Sequence, residues 1–137
     1  YVTSGEVQVT TSSGSVATQL GNIIVTDNEV ANVASKNIII VGGSCINSAA
    51  AKVLNVPAKT CSAAFTEATT VGAGEFLIQS VEGAYTAGKV ALVVAGYDAA
   101  ETGMGVTYLT KQKPDVSGGK KWIGTSSTTA TMQTTAA

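Results

Sequence analysis

Asn37-Ile38-Ile39-Ile40-Val41-Gly42-Gly43-Ser44 is the stretch that decides the fold. A continuous apolar, β-branched run offers water no polar face, which marks a strand covered on both sides. Gly42-Gly43 ends it and Ser44 stands where a helix N-cap is needed. Ile46, Ala49, Ala50, Val53 and Leu54 then recur at helical spacing until Pro57. Val90-Ala91-Leu92-Val93-Val94-Ala95 repeats the pattern as a second covered strand, and Gly96-Tyr97 turns the chain. Asp98-Ala99-Ala100-Glu101 is a capping box that opens another helix, running to Lys111 and stopped by Pro114. Inside it Gly103 and Gly105 cost about 1 kcal/mol each against alanine, so close packing on a sheet is expected there. Between the two strands, Gly74 to Gly83 carries Phe76, Leu77, Ile78 and Val81, which predicts a further helix.

The flanks are different in character. Glu6-Val7-Gln8-Val9-Thr10 alternates polar and apolar residues at period two, the pattern of a half-exposed strand. Turn residues follow from Thr11 to Gly14, Asn22 to Thr26 reads as a second strand, Asp27-Asn28 as a turn and Glu29 to Val33 as a third strand. Beyond Pro114, Lys120 to Ile123 and the Thr-rich Ser126 to Thr135 read as extended. The fold class is therefore α/β, with a small mixed sheet, parallel central strands and about three helices, flanked by β-rich N- and C-terminal segments. Residues 1–137 form one domain: a β-rich segment 1–36, an α/β core 37–113 and an extended Thr/Ser-rich segment 114–137. Its core is expected around Ile38, Ile40, Val41, Leu54, Leu77, Ile78, Leu92 and Val94.

Composition narrows the function classes. Charged residues make up 12% of the 137, about half the usual share, and the formal net charge is −1. There is no arginine or histidine, so every basic side chain is a lysine. This charge leaves no footprint for nucleic acid or for an acidic membrane surface. A weakly charged, hydroxyl-rich surface repels copies of itself poorly, which suits a protein that packs against itself. No apolar run approaches the length needed to span a bilayer. The sequence starts at Tyr1 rather than Met, so removal of a leader or larger precursor is expected.

Cys45 and Cys61 have no histidine or third cysteine with which to complete a zinc site, and they are not a Cys-x-x-Cys pair. The pair reads as one disulfide in preference to two buried thiols. Such a link stabilises a fold by about 3 kcal/mol, mainly by restricting the unfolded chain.

Nothing in the sequence singles out a catalytic constellation. Val41-Gly42-Gly43-Ser44 lacks the spacing of a dinucleotide or phosphate loop. Ser44 is not in a nucleophile elbow, and no histidine exists to activate it. Asp27, Glu29 and the neighbouring Asn28 offer hard oxygen ligands to calcium, but three candidates without a loop motif fall short of a site. Trp122 and the four tyrosines do not interleave with basic residues as a nucleic-acid platform does. No cofactor and no enzyme activity is expected.

The stretch from Asn37 to Leu54, together with Glu75 to Gln79 and Lys89 to Thr102, resembles a domain of archaeal S-layer proteins. In that family an Asn–apolar–Val-Gly-Gly-x-x-x-Asn strand–helix unit is followed by a Val-Leu-(Ile/Val)-Val-Ala-Gly strand and a helix with an acidic start. Gly42, Gly43, Asn47, Gly96 and Asp98 match that pattern residue by residue. The stretch Tyr108 to Thr128, with Lys120-Lys121-Trp122 before Gly124-Thr125, is similar too, so the likeness covers residues 37 to 128. It implies an extracellular, lattice-building role without catalysis. S-layer subunits usually run to several hundred residues, so the likeness implies a processed fragment or a small relative. A chain of this length is better suited to a filament, where a subunit needs only two complementary faces.

The expectation is a structural, self-assembling protein at the cell surface that forms a homopolymer by pairing of a terminal segment with a sheet of the next subunit: Tyr1 to Thr10, with Val7 and Val9 as its buried side, or, as the second candidate, Ser126 to Thr135. O-linked glycans on the Ser/Thr-rich ends are compatible with it, since no Asn-x-Ser/Thr sequon is present. The alternative is a cell-surface module that binds glycan or another small ligand.

Overall fold

The computed structural model of the chain describes residues 2–3 and 25–133. In chain order the elements are β1 (Val2–Thr3), β2 (Val25–Thr26), a 3-10 helix (Asp27–Asn32), β3 (Ile38–Val41), α1 (Ser48–Val53), α2 (Ser62–Thr69), β4 (Phe76–Glu82), β5 (Val90–Gly96), α3 (Ala99–Gln112), β6 (Lys121–Ser126) and β7 (Thr129–Gln133). Among the described residues the strands form one sheet in the order β2-β1-β3-β5-β4-β6-β7. The β2, β1, β3 and β5 side is parallel, whereas β5, β4, β6 and β7 pair antiparallel. The protein is thus α/β with a mixed sheet.

The pleat of the central strands sends alternate side chains to two cores. Ile38, Ile40, Leu77, Ala91, Val93 and Ala95 meet Ala49, Ala50 and Val53 of α1 and Phe65 of α2. On the opposite face Phe76, Ile78, Leu92 and Val94 lie under Tyr108 of α3. With helices on both sides, β5 is buried along nearly its whole length. Close approach of α3 falls at Gly105, where a Cβ would come within 3.0 Å of Val94 and 3.1 Å of the Phe76 ring. Gly103 faces open space, so packing does not account for it. Gly124 of β6 lies against the Phe76 ring so closely that any Cβ there would overlap it.

Several elements differ from the sequence reading. Phe76 to Glu82 is the strand β4, not a helix, because β5 and β6 pair with it on both edges and both its faces are buried. Asp27 to Asn32 is a 3-10 helix rather than a strand; Glu29 caps it through Thr26 at 2.7 Å. The N-cap of α1 is Asn47, whereas the Ser44 hydroxyl donates to Thr60 O at 2.8 Å. Ile46 precedes α1 and is exposed, and the helix α2 was not anticipated. Of the expected core, Ile38, Ile40, Leu77, Ile78, Leu92 and Val94 are buried, while Val41 and Leu54 are only partly so. The expected α3 and its capping box are present.

Cys45 and Cys61 form a disulfide with a Cα–Cα separation of 4.7 Å. It ties the turn after β3 to the residue that opens α2. Val7 and Val9, and with them the expected strand Glu6–Thr10, lie outside the described residues.

Candidate functional site

Among the described residues the sheet has two border strands, β2 and β7, of which β7 is the longer. Its direction of hydrogen bonding follows from the neighbouring strands. Ser80 donates its N–H to Lys120 O and accepts from Gly119 N, both at 2.9 Å, so the even-numbered residues of β4 face β6. Ile78 is opposite Trp122 and Phe76 opposite Gly124, which turns Trp122 and Gly124 toward β4. Alternation then turns Lys121 and Ile123 toward β7, where Gln133 and Thr131 are their partners. Ala130 and Met132 are left with N–H and C=O directed away from the sheet. Among the described residues no strand pairs with that edge.

The same alternation gives β7 two unlike faces. Ala130 packs against the core that includes Tyr108 and Trp122, and Met132, opposite Trp122, is 44% exposed. Trp122 is fixed by its indole N–H donating to Asp115 O at 2.9 Å and by the Tyr108 ring at 6.2 Å. The other face carries Thr129, Thr131 and Gln133 beside Lys121, whose ammonium donates to Thr69 O at 2.9 Å. Burial pushes the Lys121 pKa below the ordinary lysine value. Soluble monomers usually guard an edge with charge, proline or a bulge. Here the sequence from Thr125 to Ala137 contains no charged residue and no proline, and the one irregularity is a register shift in the β6–β7 ladder between Gly124 and Ser126.

A second feature lies at the carboxyl ends of the parallel neighbours β3 and β5. The chain leaves β3 for α1 on one face and leaves β5 for α3 on the other, a topological switch point of the kind where α/β folds bind ligands. The crevice there has a volume of about 190 Å³, with Gly43, Cys45 and Ile46 on one wall and Tyr97, Asp98 and Thr102 on the other. Its floor is tight because a side chain on Gly96 would overlap the α3 backbone at Glu101 and Thr102. The start of α3 is already capped, with Glu101 Oε2 accepting from Asp98 N at 3.0 Å and Asp98 completing the box. The helix end therefore has its own carboxylates in the place an anion would take.

The carboxylates considered for calcium are engaged in structural bonds. Asp27 accepts from Ser48 N at 2.9 Å and from Ser48 Oγ at 2.8 Å, and these bonds hold its pKa below the ordinary carboxylate value. Glu29 accepts from Thr26, which likewise lowers its pKa. Among the described residues no three acidic or cysteine side chains come together as a metal centre would need. Of the disulfide Cys45–Cys61, Cys45 lines the crevice. The sequence reading expected an assembly strand at Val7 and Val9, which lie outside the described residues, and did not single out the border position of Ala130 and Met132; the charge-free stretch after Gly124 was the available signal.

Comparison of the chain with protein families, with curated proteins and with solved structures gives no match.

Proposed function

We propose that this chain is a structural, self-assembling extracellular protein, the subunit of a surface layer or surface filament. The observation that carries the reading is the border strand β7, whose outward backbone groups at Ala130 and Met132 stand on a stretch without charge or proline. Such an edge is a template for strand addition from another chain. Contact between an edge on one copy and a terminal segment on the next is heterologous, so it propagates instead of closing as a dimer. A net charge of −1 leaves little repulsion between stacked copies. The disulfide suits an oxidising compartment, as a cell surface is. The resemblance of residues 37–128 to archaeal S-layer domains points the same way, and the role we propose involves no catalysis. Electron microscopy of the purified protein tests the reading: periodic filaments or sheets are expected, and a field of dispersed monomers under all conditions would overturn it.

The crevice between β3 and β5 favours a second reading, a module that binds a small ligand such as a sugar. Saturable binding by a stable monomer, lost on filling the crevice with Gly43→Leu, would favour it over assembly.

A further inference from the structure

We infer that copies of this chain stack head to tail along the strand direction, the carboxylate-bearing end of one sheet meeting the lysine-bearing end of the next. The inference rests on the self-assembly reading and adds the orientation of its subunits.

The charges are sorted by the direction of the strands. β3 and β5 run parallel, and β6, antiparallel to β4 as β4 is to β5, runs with them. At their carboxyl ends, Asp98 and Glu101 open α3 directly after β5. Glu75 stands beside them, its carbonyl accepting from Tyr97 N at 3.0 Å. Asp27 follows β2 and is bonded to Ser48 at the start of α1, with Glu29 in the same 3-10 helix. Among the described residues Lys59, whose N–H donates to Ser44 O at 3.0 Å, is the lysine at this end.

The amino ends carry the opposite sign. Lys36 precedes β3 and Lys89 precedes β5, where Asn37 Oδ1 joins the two strands by accepting from Val90 N at 2.8 Å. Lys120 leads into β6. α3 starts at the acidic end, and its 14 residues carry the chain about 21 Å to Lys111 and Lys113 at the other. Glu82 and Asp115 are the carboxylates there, and Glu67 lies along α2 between the ends. Lys52 and Lys121 are engaged internally, over the Tyr85 ring at 4.6 Å and with Thr69 O at 2.9 Å.

Local structure explains the acidic end better than the basic one. Each of those carboxylates caps a helix or turn, Glu75 by accepting from Gly72 N at 2.8 Å. Lys36, Lys89, Lys111 and Lys113 are exposed and hold no carboxylate among the described residues, where the one ion pair is Lys120–Asp115 at 3.9 Å. Outside those residues the sequence has a single charged side chain, Glu6, which neutralises one lysine at most. The dipole of α3 accounts for Lys111 and Lys113, but Lys36 and Lys89 flank strands and have no such role.

Magnitude then decides what a neighbour meets. Ends about 20 Å apart are separated by more than two screening lengths in physiological salt, at about 8 Å each. Each end therefore presents one sign of charge and not the near-zero total. Two like ends repel, whereas head-to-tail contact pairs opposite charges. Because that contact joins two different surfaces, it repeats without closing. Exposed ion pairs are individually weak, so the ends set polarity and speed encounter while other contacts carry most of the affinity.

Carbodiimide treatment of polymers made from isotopically mixed copies tests this, since it condenses a lysine with a carboxylate in contact with it. Cross-linked peptides joining Lys36, Lys89, Lys111 or Lys113 of one copy to Glu75, Asp98 or Glu101 of another are expected. Lys36→Glu with Lys89→Glu should raise the concentration needed for assembly roughly tenfold, the scale of losing two or more exposed ion pairs. Asp98→Asn with Glu101→Gln, which keeps the capping pattern of α3, should do the same. Should either variant not fold, the cross-linking decides alone. Polymers without those cross-links between copies, or folded variants that assemble at the wild-type concentration, would overturn the inference and leave self-assembly standing. A wild-type chain that never polymerises would overturn both.

Discussion

The buried amide of Asn47 joins the end of β3 to the start of α1: Nδ2 donates to Val41 O at 3.1 Å, while Oδ1 accepts from Ala49 N at 3.0 Å and Ala50 N at 3.1 Å. One side chain thereby satisfies a strand carbonyl and two of the orphan donors of a six-residue helix. Because Asn47 is fully buried, no water can replace it without rearrangement.

Asn47→Ala should therefore destabilise the fold by about 3 kcal/mol, the cost of leaving several buried backbone groups unpaired. Urea unfolding at constant slope measures it. A loss within a few tenths of a kcal/mol would show that α1 is positioned by packing alone.

Leu92 and Ile39 are opposite each other on β5 and β3, yet only the first is covered by α3. Leu92 is 7% exposed and Ile39 is 38% exposed. Leu92→Ala should cost about 2–5 kcal/mol. Ile39→Ala, which removes less buried area, should cost about half as much or less. Equal losses measured by thermal unfolding would mean that α3 does not mark the limit of the core.

Acid should weaken the join between the 3-10 helix and α1. The Asp27 carboxyl is held below its ordinary 3.8 chiefly by the Ser48 backbone N–H. A carboxylate with a depressed folded pKa contributes stability that is fully present above the unfolded value and is lost as pH falls through the folded one. The melting temperature should thus fall as pH drops below about 4, and Asp27→Asn should flatten that limb while keeping a side-chain acceptor for Ser48. An identical acid limb in the variant would assign the loss to other groups.

How much of this was legible in the sequence follows from how local each signal is. The capping box Asp98–Glu101 and the apolar run of β5 carry their meaning within a few residues, and the structure contains them as read. β3 is a strand as read, but among the described residues it is covered on one face only, with Ile39 38% exposed on the other. β4 was misread because Phe76-Leu77-Ile78 is apolar without alternation, and a short run buried on both faces cannot be told from a buried helix by periodicity. What makes it a strand is pairing with β5 and β6, which is not local. The 3-10 helix did have a local mark that was passed over, since Thr26-Asp27-Asn28-Glu29 is a capping-box spacing. α2 buries only Phe65 and Thr69, too few positions to announce a helix in a Ser/Ala/Thr-rich stretch. The disulfide followed from elimination among cysteine chemistries. The border position of β7 depends on the order of every other strand, so the Thr-rich tail was readable as extended but not as an open edge.

Sedimentation velocity of the wild-type chain beside Met132→Lys tests the central claim most directly. A lysine at that exposed position leaves the β6–β7 pairing intact and places on the edge the residue with which soluble proteins block strand addition. The account predicts a concentration-dependent polymer for the wild type and a folded monomer for the variant at every concentration. A wild type that stays monomeric, or a variant that polymerises equally well, would contradict it.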